Sequence, residues 1–144
     1  MRTHEVYRIV VDHDESVLET ADTVVFARQE PSEHLLTTGT LPGELAAALD
    51  RIGPRTRIVS LCTSAFLLAA AGLLDGRRAT THWALCDAPA RLFPDLEVDP
   101  DVLFVDNGRI LTSAGGAAGI ELGLHLVRLD HGAAVASAAA RRCG

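Results

Sequence analysis

Two residues in the middle of the chain, Cys62 and His82, are the first candidates for chemistry. Cys62 follows a mostly apolar stretch, Arg57 to Leu61, which is typical of a buried strand, and precedes an Ala- and Leu-rich stretch that favours a helix. At such a turn the free N–H groups and the dipole of the helix favour negative charge, a setting that generally lowers a thiol pKa and makes the thiolate a nucleophile. The position fits an ordinary buried thiol equally well, because cysteines are common in protein interiors.

His82 ends an extended stretch that begins at Arg78, twenty residues after Cys62. An imidazole beside a thiol can accept its proton or stabilise the thiolate. A hydrogen-bonded structural histidine or a surface histidine is the alternative, since sequence spacing alone does not establish contact.

Residues with polar, aromatic or very small side chains flank these two positions and are candidates for holding a ligand. The backbone N–H groups of a strand-to-helix turn can bind an oxyanion or a carboxylate. Trp83, the only tryptophan, fits a ligand pocket or an anchor for the helix that follows. The glycines from Gly115 to Gly119 fit either an anion cradle or close helix–sheet packing. The candidate ligand-binding residues are Thr63, Ser64, Thr81, Trp83 and Gly115.

Composition limits the classes of function. A chain of 144 residues predicts one domain, and a net charge of −6 argues against a nucleic-acid surface. The three cysteines form no C-x-x-C pair, and no His, Cys or carboxylate spacing indicates a metal site or another cofactor. The sequence has neither an apolar run long enough to span a membrane nor a signal-peptide core. We therefore expect a cytoplasmic protein without cofactor or membrane attachment.

Apolar runs and Ala/Leu-rich stretches alternate along the chain, which predicts an α/β fold with a mostly parallel sheet. Ligands in such folds bind at the carboxyl ends of strands, where Cys62 and His82 would lie. Asn107-Gly108 between two apolar runs predicts a hairpin. The helix from about residue 119 to 129 is apolar on most sides and is predicted to be buried. The predicted strands are 6–11, 23–27 (buried), 57–61, 78–82, 102–105 and 109–112; the predicted helices are 16–20 (one turn), 43–52, 63–71, 83–93, 119–129 and 133–142; and 28–42 is predicted to be a loop.

Three segments of the sequence resemble a known family. They are residues 60–83 (SLCTSAFLLAAAGLLDGRRATTHW), 99–115 (DPDVLFVDNGRILTSAG) and 119–132 (GIELGLHLVRLDHG). They are similar to the ThiJ/PfpI group of the class I glutamine amidotransferase-like superfamily, above all to the sensor domain fused to AraC-type transcription regulators of the GlxA kind. Isonitrile hydratases share much of the same pattern.

The resemblance implies a flavodoxin-like three-layer sandwich with Cys62 at a nucleophile elbow and His82 approaching it. Thr63 and Ser64 would supply the backbone N–H donors, and homodimers are common in the superfamily. Two functions follow as alternatives. One is a ligand-sensing domain that binds a small molecule near Cys62 without turnover. The other is a cysteine-dependent isonitrile hydratase or amidase-like hydrolase that uses Cys62 and His82.

The sequence departs from the family pattern at both ends. Members begin with a strand and a loop whose acidic residue contacts the elbow cysteine, and Asp12, Asp14 and Glu15 do not match that motif. Regulators of this kind also continue into a helix-turn-helix domain. The expectation is therefore a single domain over residues 1–144, truncated at its N-terminus and without the first strand or a DNA-binding part, or a partial domain completed by dimerisation.

Overall fold

The computed structural model describes residues 10–143. Most of the strand predicted over residues 6–11 lies outside them, and Val10 and Val11 belong to no strand. Short 3-10 turns occur at Glu15–Glu19, Cys62–Ser64 and Trp83–Leu85. The other elements are β1 (Thr23–Phe26), α1 (Glu33–Thr38), α2 (Gly43–Asp50), β2 (Arg57–Leu61), α3 (Ala65–Ala70), β3 (Arg78–Ala79), α4 (Asp87–Leu92), β4 (Glu97–Val98), β5 (Phe104–Asp106), β6 (Ile110–Ser113) and α5 (Ala117–Cys143).

The main sheet has the strand order β1-β2-β6-β5. β1, β2 and β6 run parallel, and β5 is antiparallel to β6 through the predicted Asn107-Gly108 hairpin. β3 and β4 form a separate parallel pair. Because β1, β2 and β6 point the same way, the residues that follow them meet at one edge of the sheet, and Cys62 is among them.

Helices cover both faces of the main sheet, so the architecture is a three-layer α/β/α sandwich, as predicted. On one face Ile58 and Ile110 pack with Leu68 of α3. On the other face Val59 and Leu111 pack with Leu122 of α5. Successive side chains of β2 and β6 thus point to opposite faces of the sheet and pack against different helices. This alternation is expected for strands that are covered by helices on both faces.

The segment predicted as a loop, residues 28–42, contains the helix α1, so that prediction is wrong in its middle part. Ser32 caps the helix by accepting a hydrogen bond from the N–H of Leu35, and Gly39 ends it with a φ of 66°. A serine N-cap and a left-handed glycine are recognisable signals. The Pro, Gly, Ser and Thr content of the whole segment favours a loop, and for this reason the sequence predicts a loop there.

Two predictions of burial are also wrong. β1 forms as predicted but is a half-exposed strand at the edge of the sheet: Val24 and Phe26 pack against the core, whereas Val25 lies on the opposite face and is 54% exposed. The helix predicted over residues 119–129 exists as the first part of α5, yet Ile120 is 50% and Leu129 is 56% exposed. It packs against the sheet along one stripe only.

The predicted break after that helix is present. Gly132 has φ 82° and ψ 168°, values that glycine adopts far more readily than other residues. Ala136 and Ala140 beyond the break line the same small cavity as Leu124 before it, so the second part of α5 folds back along the first. The extended stretch over 78–82 and the helix over 83–93 are both shorter than predicted, at β3 and α4.

Candidate active site at the end of strand β2

Cys62 lies at a sharp turn between β2 and α3. Its φ of 62° is the only positive φ of a non-glycine residue within residues 10–143. A left-handed conformation costs an L-residue about 1–2 kcal/mol. The residue is only 3% exposed, and the turn that it opens has no side-chain cap. Its first N–H groups therefore have no partner within the turn, which is the electrostatic setting that suits an anion.

Hydroxyl side chains hold this turn in place. Ser64 Oγ lies 2.9 Å from the carbonyl oxygen of Phe26, 2.8 Å from that of Leu61 and 2.9 Å from Ser60 Oγ. Thr63 Oγ1 donates to the carbonyl of Gln29. Ser64 and Thr63 thus tie the elbow to the end of β1 and to the loop that follows it.

Thr81 holds the elbow from the other side. Its Oγ1 donates to the carbonyl of Cys62 at 3.0 Å, and the residue is 2% exposed. The hydroxyls of Thr63, Ser64 and Thr81 are therefore engaged in shaping the turn. The sequence proposes Thr63 and Ser64 as ligand contacts through their backbone N–H groups, which have no partner within the turn.

Gly115 lies directly against the thiol. A Cβ at this position would be 2.5 Å from Cys62 Sγ and 2.6 Å from Cys62 Cβ, distances that exclude any other residue without movement. Its φ of 86° also belongs to the region that favours glycine. Gly115 follows β6 by two residues, so two neighbouring strand ends meet at the sulfur.

His82 makes no hydrogen bond to Cys62 Sγ in the described part of the chain. Its Nδ1 accepts the N–H of Ala84 at 3.3 Å and caps the short turn that follows. The ring stacks on Trp83 with centroids 5.6 Å apart, and Trp83 is 74% exposed.

The second thiol near the turn, Cys86, is 8% exposed, and its Sγ lies 3.6 Å from the carbonyl oxygen of His82. Burial is the largest cause that raises the pKa of Cys86, and nearby carboxylates raise it further, against a smaller lowering from the backbone of Thr81. Cys86 is therefore a protonated thiol at neutral pH and a poor nucleophile.

Two further features of the site were missed from the sequence. The backbone carbonyl of Gln29 accepts a hydrogen bond from the Thr63 hydroxyl. Gln29 follows β1 at the same edge of the sheet as Cys62, and this position in the sequence could have identified it as part of the site. Thr80 Oγ1 and Ser113 Oγ are buried and have no hydrogen-bond partner among residues 10–143. Ser113 pairs in register with Leu61, next to the elbow. No sequence pattern marks a hydroxyl as unpaired.

A separate polar cluster joins α5 to the opposite end of the sheet. Arg57 forms a bidentate ion pair with Asp130, at 2.7 and 2.8 Å, and His125 Nε2 lies 2.7 Å from Asp106 Oδ2. Hydrogen bonding from Arg57 holds the pKa of Asp130 below its ordinary value. Burial raises the pKa of Asp106, but hydrogen bonds from His125 and the N–H of Gly108 outweigh it and leave this pKa lowered. Both carboxylates are therefore charged at neutral pH.

Residues 10–143 contain no group of three or more His, Cys, Asp or Glu side chains arranged to hold a metal ion. None of their helices has the length and apolar character needed to cross a membrane.

The sequence is similar to bacterial transcription regulators and to an isonitrile hydratase. It is 46% identical over 84 residues to the HTH-type transcriptional regulator CdhR of Pseudomonas aeruginosa, covering 58% of this chain and 24% of that protein. It is 43% identical over 72 residues to an isonitrile hydratase of Pseudomonas putida, covering 49% of this chain and 30% of that protein. The chain thus matches about a quarter of the length of these relatives.

The fold is shared with solved structures. An AraC family transcriptional regulator from Pseudomonas putida superposes with a TM-score of 0.71 at 19% identity, covering 95% of this chain and 71% of that one. DJ-1beta of Drosophila melanogaster superposes with a TM-score of 0.65 at 18% identity, covering 94% of this chain and 71% of that one. The model of the DJ-1/PfpI family matches residues 46–129, more than half of the chain. That segment holds Cys62, its turn, and the glycine packed against the thiol, and so the resemblance read from the sequence is confirmed: the chain belongs to the DJ-1/PfpI family.

Proposed function

We propose that this chain is a ligand-sensing domain that binds a small molecule at the Cys62 elbow without turning it over. The observation that carries the proposal is the state of His82, whose Nδ1 accepts from Ala84 and which makes no hydrogen bond to the thiol within the described residues. Among residues 10–143, no basic side chain therefore forms a hydrogen bond with the thiol. A nucleophile in a cysteine enzyme needs such a base or a cationic neighbour.

Hydrogen-bonding groups without partners at the elbow support the proposal that a ligand binds there. The N–H groups of Thr63 and Ser64 have no partner within an uncapped turn, and the buried hydroxyl of Ser113 has no partner in residues 10–143. A carboxylate, an amide or a similar polar group would satisfy such donors. Similarity to transcriptional regulators such as CdhR supports a sensing role over a metabolic one.

The test uses the three cysteines of the chain. Each would be alkylated with iodoacetamide at pH 8 in the presence of millimolar methylamine, acetamide or acetate, and the rates read by peptide mass spectrometry. We expect one of these probes to slow Cys62 selectively, leaving the rate of exposed Cys143 unchanged and the probe chemically intact after hours. A uniform rate for Cys62 with every probe would contradict binding at the elbow.

The second candidate is a cysteine-dependent isonitrile hydratase or amidase-like hydrolase, favoured by the 43% identity to the Pseudomonas putida isonitrile hydratase. In that case Cys62 would attack the electrophilic carbon, and the elbow N–H groups would stabilise the developing negative charge. Water would then cleave the bond between the carbon and the sulfur, which releases the product and regenerates the thiol. His82 would have to release Ala84 to act on the proton. Consumption of cyclohexyl isocyanide by the wild type, and none by Cys62→Ser, would establish this function and displace the first.

We also propose that the chain is a homodimer. Large apolar side chains on α5 are exposed, among them Ile120, Leu129 and Val135. Exposed apolar surface of this kind is typical of an interface between proteins. Sedimentation velocity at micromolar concentration should give twice the mass of one chain, and a single-chain mass would contradict the proposal.

A further inference from the structure

Side-chain hydroxyls contact both of the peptide groups that flank Cys62. Ser64 Oγ lies 2.8 Å from the carbonyl oxygen of Leu61, which belongs to the peptide group before Cys62. Thr81 Oγ1 donates at 3.0 Å to the carbonyl of Cys62, which belongs to the peptide group after it. Because a peptide group is planar, these contacts hold the two backbone torsions at Cys62, including its φ of 62°.

The peptide group between Cys62 and Thr63 accepts hydrogen bonds from two donors. One is the N–H of Ala65, which follows the short turn and moves with it. The other is the hydroxyl of Thr81, which lies nineteen residues further along the chain, just after β3. A carbonyl oxygen has two lone pairs and can accept both. Of the two bonds, only the one from Thr81 ties the orientation of this peptide group to a distant segment.

The N–H of Thr63 belongs to the same peptide group. The peptide bond is trans, so its N–H points away from its carbonyl. With the carbonyl held against Thr81, the Thr63 N–H is held in the opposite direction, and it has no partner within the turn. A hydrogen bond to the carbonyl also polarises the peptide group and makes its N–H a stronger donor. Thr81 thus sets the direction and the strength of one elbow donor.

Thr81 is itself well fixed. It is 2% exposed, so water does not compete for its hydroxyl. Its backbone carbonyl lies 3.9 Å from Cys86 Sγ, which contacts it from the start of α4. A threonine hydroxyl has a single proton, and here that proton is donated to Cys62. Thr81 therefore has no donor left for a ligand and can act on one only through the elbow backbone.

We propose that Thr81 is the positioning residue for the Thr63 N–H, and through this donor for the polar group of a ligand at the elbow. The inference rests on the proposed function, because it takes the Thr63 N–H to be a donor to that ligand. Acetate is the probe, since a charged acceptor forms a stronger hydrogen bond with an N–H than a neutral one does.

The experiment is a titration of ¹⁵N-labelled protein with sodium acetate at neutral pH, with sodium chloride holding the ionic strength constant. The amide signal of Thr63 reports the donor directly. We expect acetate to shift this signal saturably in the wild type. Thr81→Val keeps the shape of the side chain and removes the hydroxyl, and should weaken acetate binding about fivefold, the typical size of one hydrogen bond. Thr81→Ser keeps the hydroxyl and should restore wild-type binding.

Thr56→Val is the matched control. Thr56 is also buried, and its Oγ1 donates to the backbone carbonyl of Ala21 at 2.7 Å, at the opposite end of β2. The variant loses a comparable structural hydrogen bond, so it should lose similar stability in urea unfolding but bind acetate as the wild type does. Weakening of acetate binding by the same factor in Thr56→Val and Thr81→Val, or no rescue by Thr81→Ser, would overturn the positioning role.

The Thr63 amide signal without any ligand separates this inference from the proposed function. It should differ from the wild type in Thr81→Val and return in Thr81→Ser. If it does so while acetate, acetamide and methylamine all fail to bind the wild type, the action of Thr81 on the donor is supported and the proposed function is overturned. If acetate binds the wild type and Thr81→Val equally, the proposed function is supported and the positioning role is overturned.

Discussion

Position 115 requires a glycine because the sulfur of Cys62 lies directly beside it. Replacing it with alanine would place a methyl group 2.5 Å from Cys62 Sγ and would force a φ of 86° on an L-residue. We expect Gly115→Ala to lower the free energy of unfolding by about 2 kcal/mol or more, since overpacking and backbone strain both contribute. Urea denaturation measures this.

Gly123 provides the matched control for that change. It lies within α5 and has no heavy atom within 4 Å of the position where a Cβ would be added. Gly123→Ala should raise the free energy of unfolding by up to about 1 kcal/mol, because alanine favours a helix more than glycine does. Equal destabilisation by both changes would mean that Gly115 has no special contact with the thiol.

The backbone at Cys62 predicts an unusual order of stability. Alanine is normally better tolerated than glycine in regular structure, but a φ of 62° reverses the preference. We expect Cys62→Gly to be about 1 kcal/mol more stable than Cys62→Ala in thermal and urea unfolding. The reverse order would show that the turn relaxes to a negative φ once the thiol is gone.

At the scale of elements, Leu122 is the point where α5 is anchored to the sheet. It is fully buried against Val59 and Leu111, whereas Leu129 on the same helix is 56% exposed. Leu122→Ala should cost about 2–5 kcal/mol, the range for a buried leucine that leaves a cavity. Leu129→Ala should cost well under half of this in the same urea titration. Similar losses at both positions would indicate that Leu129 is covered in solution by another chain.

The elements that could be predicted from the sequence are those whose signals lie within the element itself. β2 and the Asn107-Gly108 hairpin were predictable because β-branched residues and a two-residue turn signal act locally. The open side of β1 and the partial exposure of α5 were not, because burial depends on which elements pack against a segment. At the site, the turn at Cys62 followed from its flanking sequence. The contact between Gly115 and Cys62, and the distance between His82 and Cys62, depend on how segments far apart in the chain pack together.

For the whole molecule, the Arg57–Asp130 ion pair links the sheet to the end of the first part of α5. Because the pKa of Asp130 is lowered in the folded protein, its contribution to stability is present above the ordinary carboxyl pKa of about 3.9 and is lost as pH falls below it. We expect the urea midpoint of the wild type to fall between pH 5 and pH 3 more steeply than that of Asp130→Asn. The exposed carboxylate variant Asp95→Asn should keep the wild-type slope, and a wild-type slope in Asp130→Asn would contradict the linkage.

The burial of Cys62 makes its thiol a reporter of the protein's own fluctuations. A residue that is 3% exposed can meet a bulky reagent only while the turn is transiently open. When opening and closing are fast compared with labelling, the labelling rate gives the population of the open form. The labelling rate of Cys62 divided by its rate in the unfolded chain would therefore yield the equilibrium constant for opening of the elbow. The same ratio for exposed Cys143 is the control and should be close to one. A series of reagents of increasing size would then show how far the turn moves apart from Gly115.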